Sequence, residues 1–234
     1  MAWIATVLFS LGWLGLLVLL GLGPGPAWWW PLALALGWYV ADATSGIIHA
    51  WLDYRPLPAG LGLGAVFNHS GRRDSPEYQA AKAEALVRLT PFERIVFEFK
   101  NHHPRPKALG RRSLIVLVGP SIITMSLPWC LAAHAMWFAG WLPEPLLVTL
   151  VASLAGGALA QYHHGVIHRD RIPAWARIGH RLGLLLTPAR HEIHHQTLDR
   201  DFATLCGWSN PLVNGLFRIA RRRGWCDPAG LEPA

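Results

Sequence analysis

Four long apolar stretches set the limits on what this chain can fold into. They cover about residues 3–22, 28–51, 113–139 and 145–165. Each is close to the roughly 20 apolar residues that a helix needs to cross a bilayer. A backbone that crosses lipid must satisfy its own hydrogen bonds, so each stretch is predicted as a helix. The composition agrees: 52% of the 234 residues are hydrophobic and only 15% are charged, against about 25% charged in a typical soluble domain. The expectation is one all-α integral membrane domain over residues 1–234, with four spans in two hairpins plus cytoplasmic and interfacial helices.

The turns "GLGPGPA" and "GWLPEP" close the two hairpins, and neither contains Lys or Arg. Trp28, Trp29, Trp30, Trp137 and Trp141 sit beside them, as an interfacial aromatic belt would. The first span lacks a basic leader and a clear cleavage site, so it is read as retained. All 21 Lys and Arg fall between Arg55 and Arg112 or between Arg169 and Arg223. This segregation fits the positive-inside rule better than a nucleic-acid surface, despite the net charge of +7. It puts the 53–112 loop, the 166–234 tail and both termini in the cytoplasm. The membrane expected is a bacterial inner membrane.

Within the 53–112 loop, "SPEYQAAKAEALVRLTPFERIVFEFKNHH" reads as one or two helices with a cap at Ser75. "PAWARIGHRLGLLLTP" reads as an amphipathic helix at the membrane surface. "RRRGWCDPAGLEPA" is expected to fray. Cys130, Cys206 and Cys226 have no paired spacing and are read as free thiols.

Eleven of the twelve histidines lie at or beyond the cytoplasmic end of a span; His134 is the exception. Four groups stand out. "DATSGIIHAWLD" carries Asp42, His49 and Asp53 on one helix face. "NHHP" carries His102 and His103. "HHGVIH" carries His164 and His168 at i, i+4, and "RHEIHHQ" carries His191, His194 and His195 at i, i+3, i+4. One such pair is weak evidence for a metal, and titrating interfacial histidines would be the ordinary explanation. Four groups on one side of one membrane are harder to explain that way. Eight imidazoles exceed one tetrahedral site and suit two metals, although imidazole alone does not select among iron, zinc and copper. Asp42 and Asp53 are expected as further ligands or as acceptors that orient a histidine. His69, His163, His180 and His134 are read as non-ligands, with His180 on a surface.

These pieces, with "TPARHEIHHQ" and "CGWSNPLVN", resemble the Kua-type lipid desaturases over about residues 38–216. That family includes plasmanylethanolamine desaturase and the plant plastid desaturase acting on phosphatidylglycerol. The resemblance implies an O2-dependent di-iron enzyme that desaturates a fatty acyl or alkyl chain of a membrane lipid. Electrons would come from a ferredoxin or cytochrome b5 type donor. Its ligands map onto His49, His102, His103, His164, His168, His191, His194 and His195. The chain departs from the family pattern at Arg112-Ser113 and at Arg190, and its segment between His49 and His102 is longer. Another family histidine is replaced near Asp199, which could serve as an oxygen ligand. Two alternatives stay open: a fatty-acid or sterol-type membrane hydroxylase, and a zinc hydrolase using the HExxH string His191-Glu192-His195.

Overall fold

The computed structural model describes residues 1–233, and among them it contains helices and turns but no strand. Helix α1 (Ala2–Gly21) and helix α2 (Trp30–Tyr54) form the first hairpin. Five short helices or turns follow. Of these, α3 (Leu63–Phe67), α4 (Pro76–Val87), α5 (Pro91–Lys100) and α6 (Pro106–Gly110) are helical, and residues 101–104 make the turn before α6. The second hairpin comprises α7 (Leu114–Ser121), running through a π-turn (Ile122–Ser126) into α8 (Leu127–Phe138), and then α9 (Glu144–Ile167). Beyond it lie α10 (Ala174–Arg181), α11 (Pro188–Thr197) and α12 (Asn210–Arg222). Among the described residues, four segments are long and apolar enough to cross a membrane: Ala2–Gly21, Trp30–Tyr54, Leu114–Phe138 and Glu144–Ile167. The chain is a multi-pass, all-α membrane protein.

Small residues bring α2 and α9 together. A Cβ on Gly37 would lie 2.3 Å from the Thr149 carbonyl oxygen, so only glycine allows this backbone approach. Helix α1 packs across α7, α8 and α9 through Leu16, Leu20, Val118 and Val148, and the Trp13 indole N–H donates to the Val151 carbonyl (2.9 Å). Its other face, including Leu11, Leu14 and Val18, is exposed. In water such a face would be a liability; in lipid it is the expected surface. Trp28 and Trp141 are exposed at the ends of α2 and α8 away from the histidines.

The third span departs from a regular helix between Pro120 and Pro128. Proline removes an amide donor and clashes with the preceding turn, and the π-turn over Ile122–Ser126 absorbs the mismatch. The loop sequence resolves into two helices, because Thr90 and Glu93 form a reciprocal capping box that starts α5 afresh. Ser75 caps α4 as expected, accepting from the Tyr78 amide.

The expected fraying of residues 221–234 is corrected for most of the segment; Ala234 lies outside the described residues. Helix α12 runs through Arg222, and a 3-10 turn (Pro228–Gly230) docks on α2. Gly230 lies against the Tyr54 carbonyl, where a Cβ would come within 2.3 Å of the oxygen. The Lys100 ammonium is buried there and donates to the carbonyls of Asp53 and Gly230, which pins the tail to the end of α2. The three cysteines are free.

Candidate metal centre

The four histidine segments meet at one end of the bundle. His49 and Asp53 face inward from the last two turns of α2. His102 and His103 stand on the turn after α5, and Pro104 ends that turn. His164 lies on the last turn of α9 and His168 caps it. His191, His194 and His195 come from α11, which Thr187 caps by accepting from the Arg190 amide (3.4 Å).

Their ligand atoms form two groups, each spanning no more than 4.8 Å. One contains His102, His164, His168, His191 and His195. The other contains His49, Asp53, His103 and His194. Asp53 Oδ1 lies 3.0 Å from His103 Nε2, and Asp53 Oδ2 lies 3.3 Å from both His49 Nε2 and His194 Nε2. His195 Nε2 is 3.2 Å from His191 Nε2 and 3.3 Å from His168 Nε2. Metal–nitrogen bonds of about 2.0–2.1 Å place neighbouring donors about 2.8–3.4 Å apart in octahedral or tetrahedral geometry. The observed separations are those of a coordination polyhedron's edges.

The polar atoms here are also poorly satisfied. Both Asp53 oxygens, both His49 nitrogens and the Nε2 atoms of His102, His103, His164 and His194 are buried without a well-aligned hydrogen-bond partner. The short Asp53–histidine approaches do not have hydrogen-bond alignment, and the donor atoms of this group all lie within 4.8 Å of one another. Buried polar groups are rarely left in this state unless an ion or a function accounts for it. Such a donor set, eight imidazoles and one carboxylate, suits two divalent metals.

Outer contacts fix the histidine tautomers. His194 Nδ1–H donates to the Arg200 carbonyl (2.9 Å) and His102 Nδ1–H donates to the Phe99 carbonyl, so Nε2 of each keeps its lone pair for a metal. Burial lowers the pKa of His102 and His191 well below the usual histidine value, and pushes His168 down to about 4 and His195 to about 2. These four imidazoles are therefore neutral at pH 7, the form that ligates. Phe99 packs edge-on against His49 (4.9 Å between ring centres), and buried Phe202 lies 4.9 Å from His194. Both rings shield the second group from water.

Asp42 stands apart from both groups. Its carboxylate accepts from the amides of Cys206, Gly207 and Ser209 and from the Ser209 hydroxyl, at 2.7–3.0 Å. Ser45 adds a contact by accepting from the Thr204 amide (3.1 Å). Between them Asp42 and Ser45 clamp the "TLCGWS" segment, and Gly46 gives it room, since a Cβ there would sit 3.1 Å from the Ala203 nitrogen. Asp199 is exposed and likewise outside the groups. Glu192 is exposed and accepts from the Gln196 amide (3.3 Å), so it does not face the histidines as a hydrolytic base would. His180, expected on a surface, is half-buried and pairs with buried His163. His163 Nδ1–H donates to the Thr204 carbonyl, so His180 Nε2–H donates to His163 Nε2 (3.2 Å). His69 packs at a tilt against Tyr78, and His134 bonds within its own helix to the Cys130 carbonyl. Sequence reasoning missed the Asp42 clamp and the Lys100 pin, because their partners lie far along the chain and carry no spacing signal.

A family model described as the lipid desaturase domain matches residues 90–220, more than half of the chain. No curated protein and no solved structure matches it.

Proposed function

The chain belongs to the lipid desaturase family, and from that premise we propose that it is a di-iron, O2-dependent desaturase of a fatty acyl or alkyl chain in a membrane lipid. Family membership makes it an oxidoreductase of lipid metabolism. The observation that carries the finer reading is the convergence of nine ligand atoms in two adjacent groups, most of them buried and unpaired.

In this reading His102, His164, His168, His191 and His195 hold one iron, and His49, Asp53, His103 and His194 hold the other. When bound, the iron pair supplies an oxidant strong enough to break an unactivated C–H bond. The overall reaction balances as two hydrogens from the chain, two electrons, two protons and O2 giving one C=C bond and two waters. The electrons come from an external ferredoxin or cytochrome b5 type protein.

The protein's own residues prepare the site. Asp53 contributes the only formal negative charge among the nine donors. Arg200 and Phe99 carbonyls orient His194 and His102. Phe99 and Phe202 keep bulk water from the second group. The exposed apolar faces of the spans bring lipid tails to the bundle. The basic loops and both termini lie in the cytoplasm, where the donor protein docks, and the membrane is a bacterial inner membrane.

Elemental analysis of detergent-purified protein, with Mössbauer spectra of iron-57-grown material, tests the metal assignment. Two coupled high-spin irons per chain are expected. One zinc and no iron would overturn it. Lipid profiling then separates a desaturated product from a hydroxylated one.

A further inference from the structure

A second polar cavity shares a wall with the metal centre. It has a volume of about 170 Å³ and is lined by residues of α4, α5 and α6 and the turns around them, including His102. Three cations reach it: Arg73, Lys82 and Arg112. Among the described residues that line it, Glu98 is the one carboxylate, pairing with Lys82 (2.8 Å) and Arg112. Two positive charges are thus left uncompensated.

The lining also carries polar atoms without partners. The Tyr78 side chain is 4% exposed and its hydroxyl has no hydrogen-bond partner. Arg73 Nε is buried and unpaired, although its Nη2 donates to Asn101 Oδ1 (3.1 Å) and its guanidinium lies over the Tyr78 ring. Unspent donors in a net positive, partly enclosed cavity select an oxyanion. Arg73, Tyr78 and Lys82 all precede residue 90, so they lie outside the matched family region. They belong to the segment between His49 and His102.

We propose that this cavity binds the phosphate of a phospholipid headgroup and so sets which lipid is presented to the metal centre. The proposal rests on the lipid desaturase reading. The cavity's lining residues come from the segment between the spans α2 and α7, outside both apolar helices, and His102 joins its wall to the centre that would act on the tail. Arg73 and Arg112 donate to the phosphate oxygens together with the Tyr78 hydroxyl, and Glu98 opposes them.

The test uses full-length protein in detergent, read by native mass spectrometry, so it does not depend on turnover. The protein is offered equal amounts of dioleoylphosphatidylglycerol and dioleoylglycerol. Selective retention of the phospholipid is expected. Arg73→Gln and Arg112→Gln should each weaken retention about tenfold, the loss for one charge-assisted hydrogen bond. Glu98→Gln should tighten it, a direction that misfolding cannot mimic. Metal content should be unchanged in all three. Equal retention of both lipids, or no response to the three variants, overturns the proposal. Binding of inorganic phosphate that the phospholipid cannot displace also overturns it, in favour of a soluble phosphate ligand. Retention without any desaturated product would leave this cavity standing and count against the desaturase reading instead.

Discussion

Asp53→Asn isolates one half of the metal centre. Asp53 is 1% exposed, lies 3.0–3.3 Å from three imidazole nitrogens and is the sole carboxylate among the nine donors. The amide has nearly the same shape, so packing at the end of α2 is kept. What changes is charge. Two unit charges about 4 Å apart interact by about 4 kcal/mol at an effective dielectric of 20. A divalent ion facing a carboxylate has a larger gross term, part of which is returned by the amide dipole and by the lower cost of burying a neutral group. Outer partners of metal ligands alone change affinity by about 10–100-fold, so loss of the charged ligand should weaken this group at least about 100-fold, or roughly 2.7 kcal/mol. The five-histidine group loses nothing. Iron per chain, measured after gel filtration, should therefore fall from two to one. The Mössbauer spectrum should change from a coupled pair to an isolated high-spin ion, and lipid turnover should vanish. Two irons with normal turnover would refute the assignment of Asp53 as a ligand. Loss of both irons would refute the independence of the two groups.

His194→Ala and His49→Ala should abolish turnover while the spans still insert, checked by lipid profiling alongside membrane fractionation. His69→Ala should leave iron content and turnover unchanged and cost about 1 kcal/mol of stability from the lost contact with the Tyr78 ring, read as a lower melting temperature. Glu192→Gln should keep turnover within about twofold, since its carboxylate faces Gln196 in solvent; loss of activity would revive a hydrolytic base. Asp42→Ala should destabilise by about 3 kcal/mol or more, because four donors of the clamp lose their acceptor, with thermal unfolding as the readout. Acid should also act through the histidines. His102, His168, His191 and His195 have folded pKa values below the unfolded value of about 6.5, so the unfolded state binds more protons below that pH. Their contribution is present above about pH 6.5 and is lost as pH falls toward the folded values; melting temperature and retained metal should both drop between pH 7.5 and 5.

Apolar runs located all four spans, because lipid imposes the same requirement on every residue of a crossing helix. The ends were less legible. The second span continues to Tyr54, three residues past the point where polar residues suggested a stop, because Asp53 turns inward to the histidines rather than out to lipid. The π-turn was hidden because its cause is the bracket formed by Pro120 and Pro128, which reads as merely apolar sequence. Helical spacing picked out His164, His168, His191, His194 and His195, and His49 with Asp53, since i, i+3 and i+4 neighbours share a face whatever the tertiary packing; His102 and His103 stood out only as an adjacent pair before Pro104. It gave no means of separating Asp42 from Asp53. Both are acidic residues on one helix face, and only the fold decides that one meets imidazoles and the other meets the amides of residues 206–209. Docking of the tail depends on Lys100 and on the bare backbone of Gly230 and Tyr54, a long-range fit with no local signature.

The Lys100 pin has a consequence for how the molecule is made. Donors from residue 49 to residue 195 converge on the centre, and the carbonyl of Gly230 completes the hold on the end of α2. During synthesis the histidines emerge as separate pairs, His49 with Asp53, then His102 with His103, then His164 with His168. Each pair alone is a weak chelate. The site closes only after α11 has been delivered and the 228–230 turn has docked, so its assembly pays loop-closure entropy over most of the chain. In the proposed metal-binding reading, loading would come last, after both hairpins are in the bilayer, and a chain stalled between the hairpins would offer copper or zinc a loose pair of imidazoles.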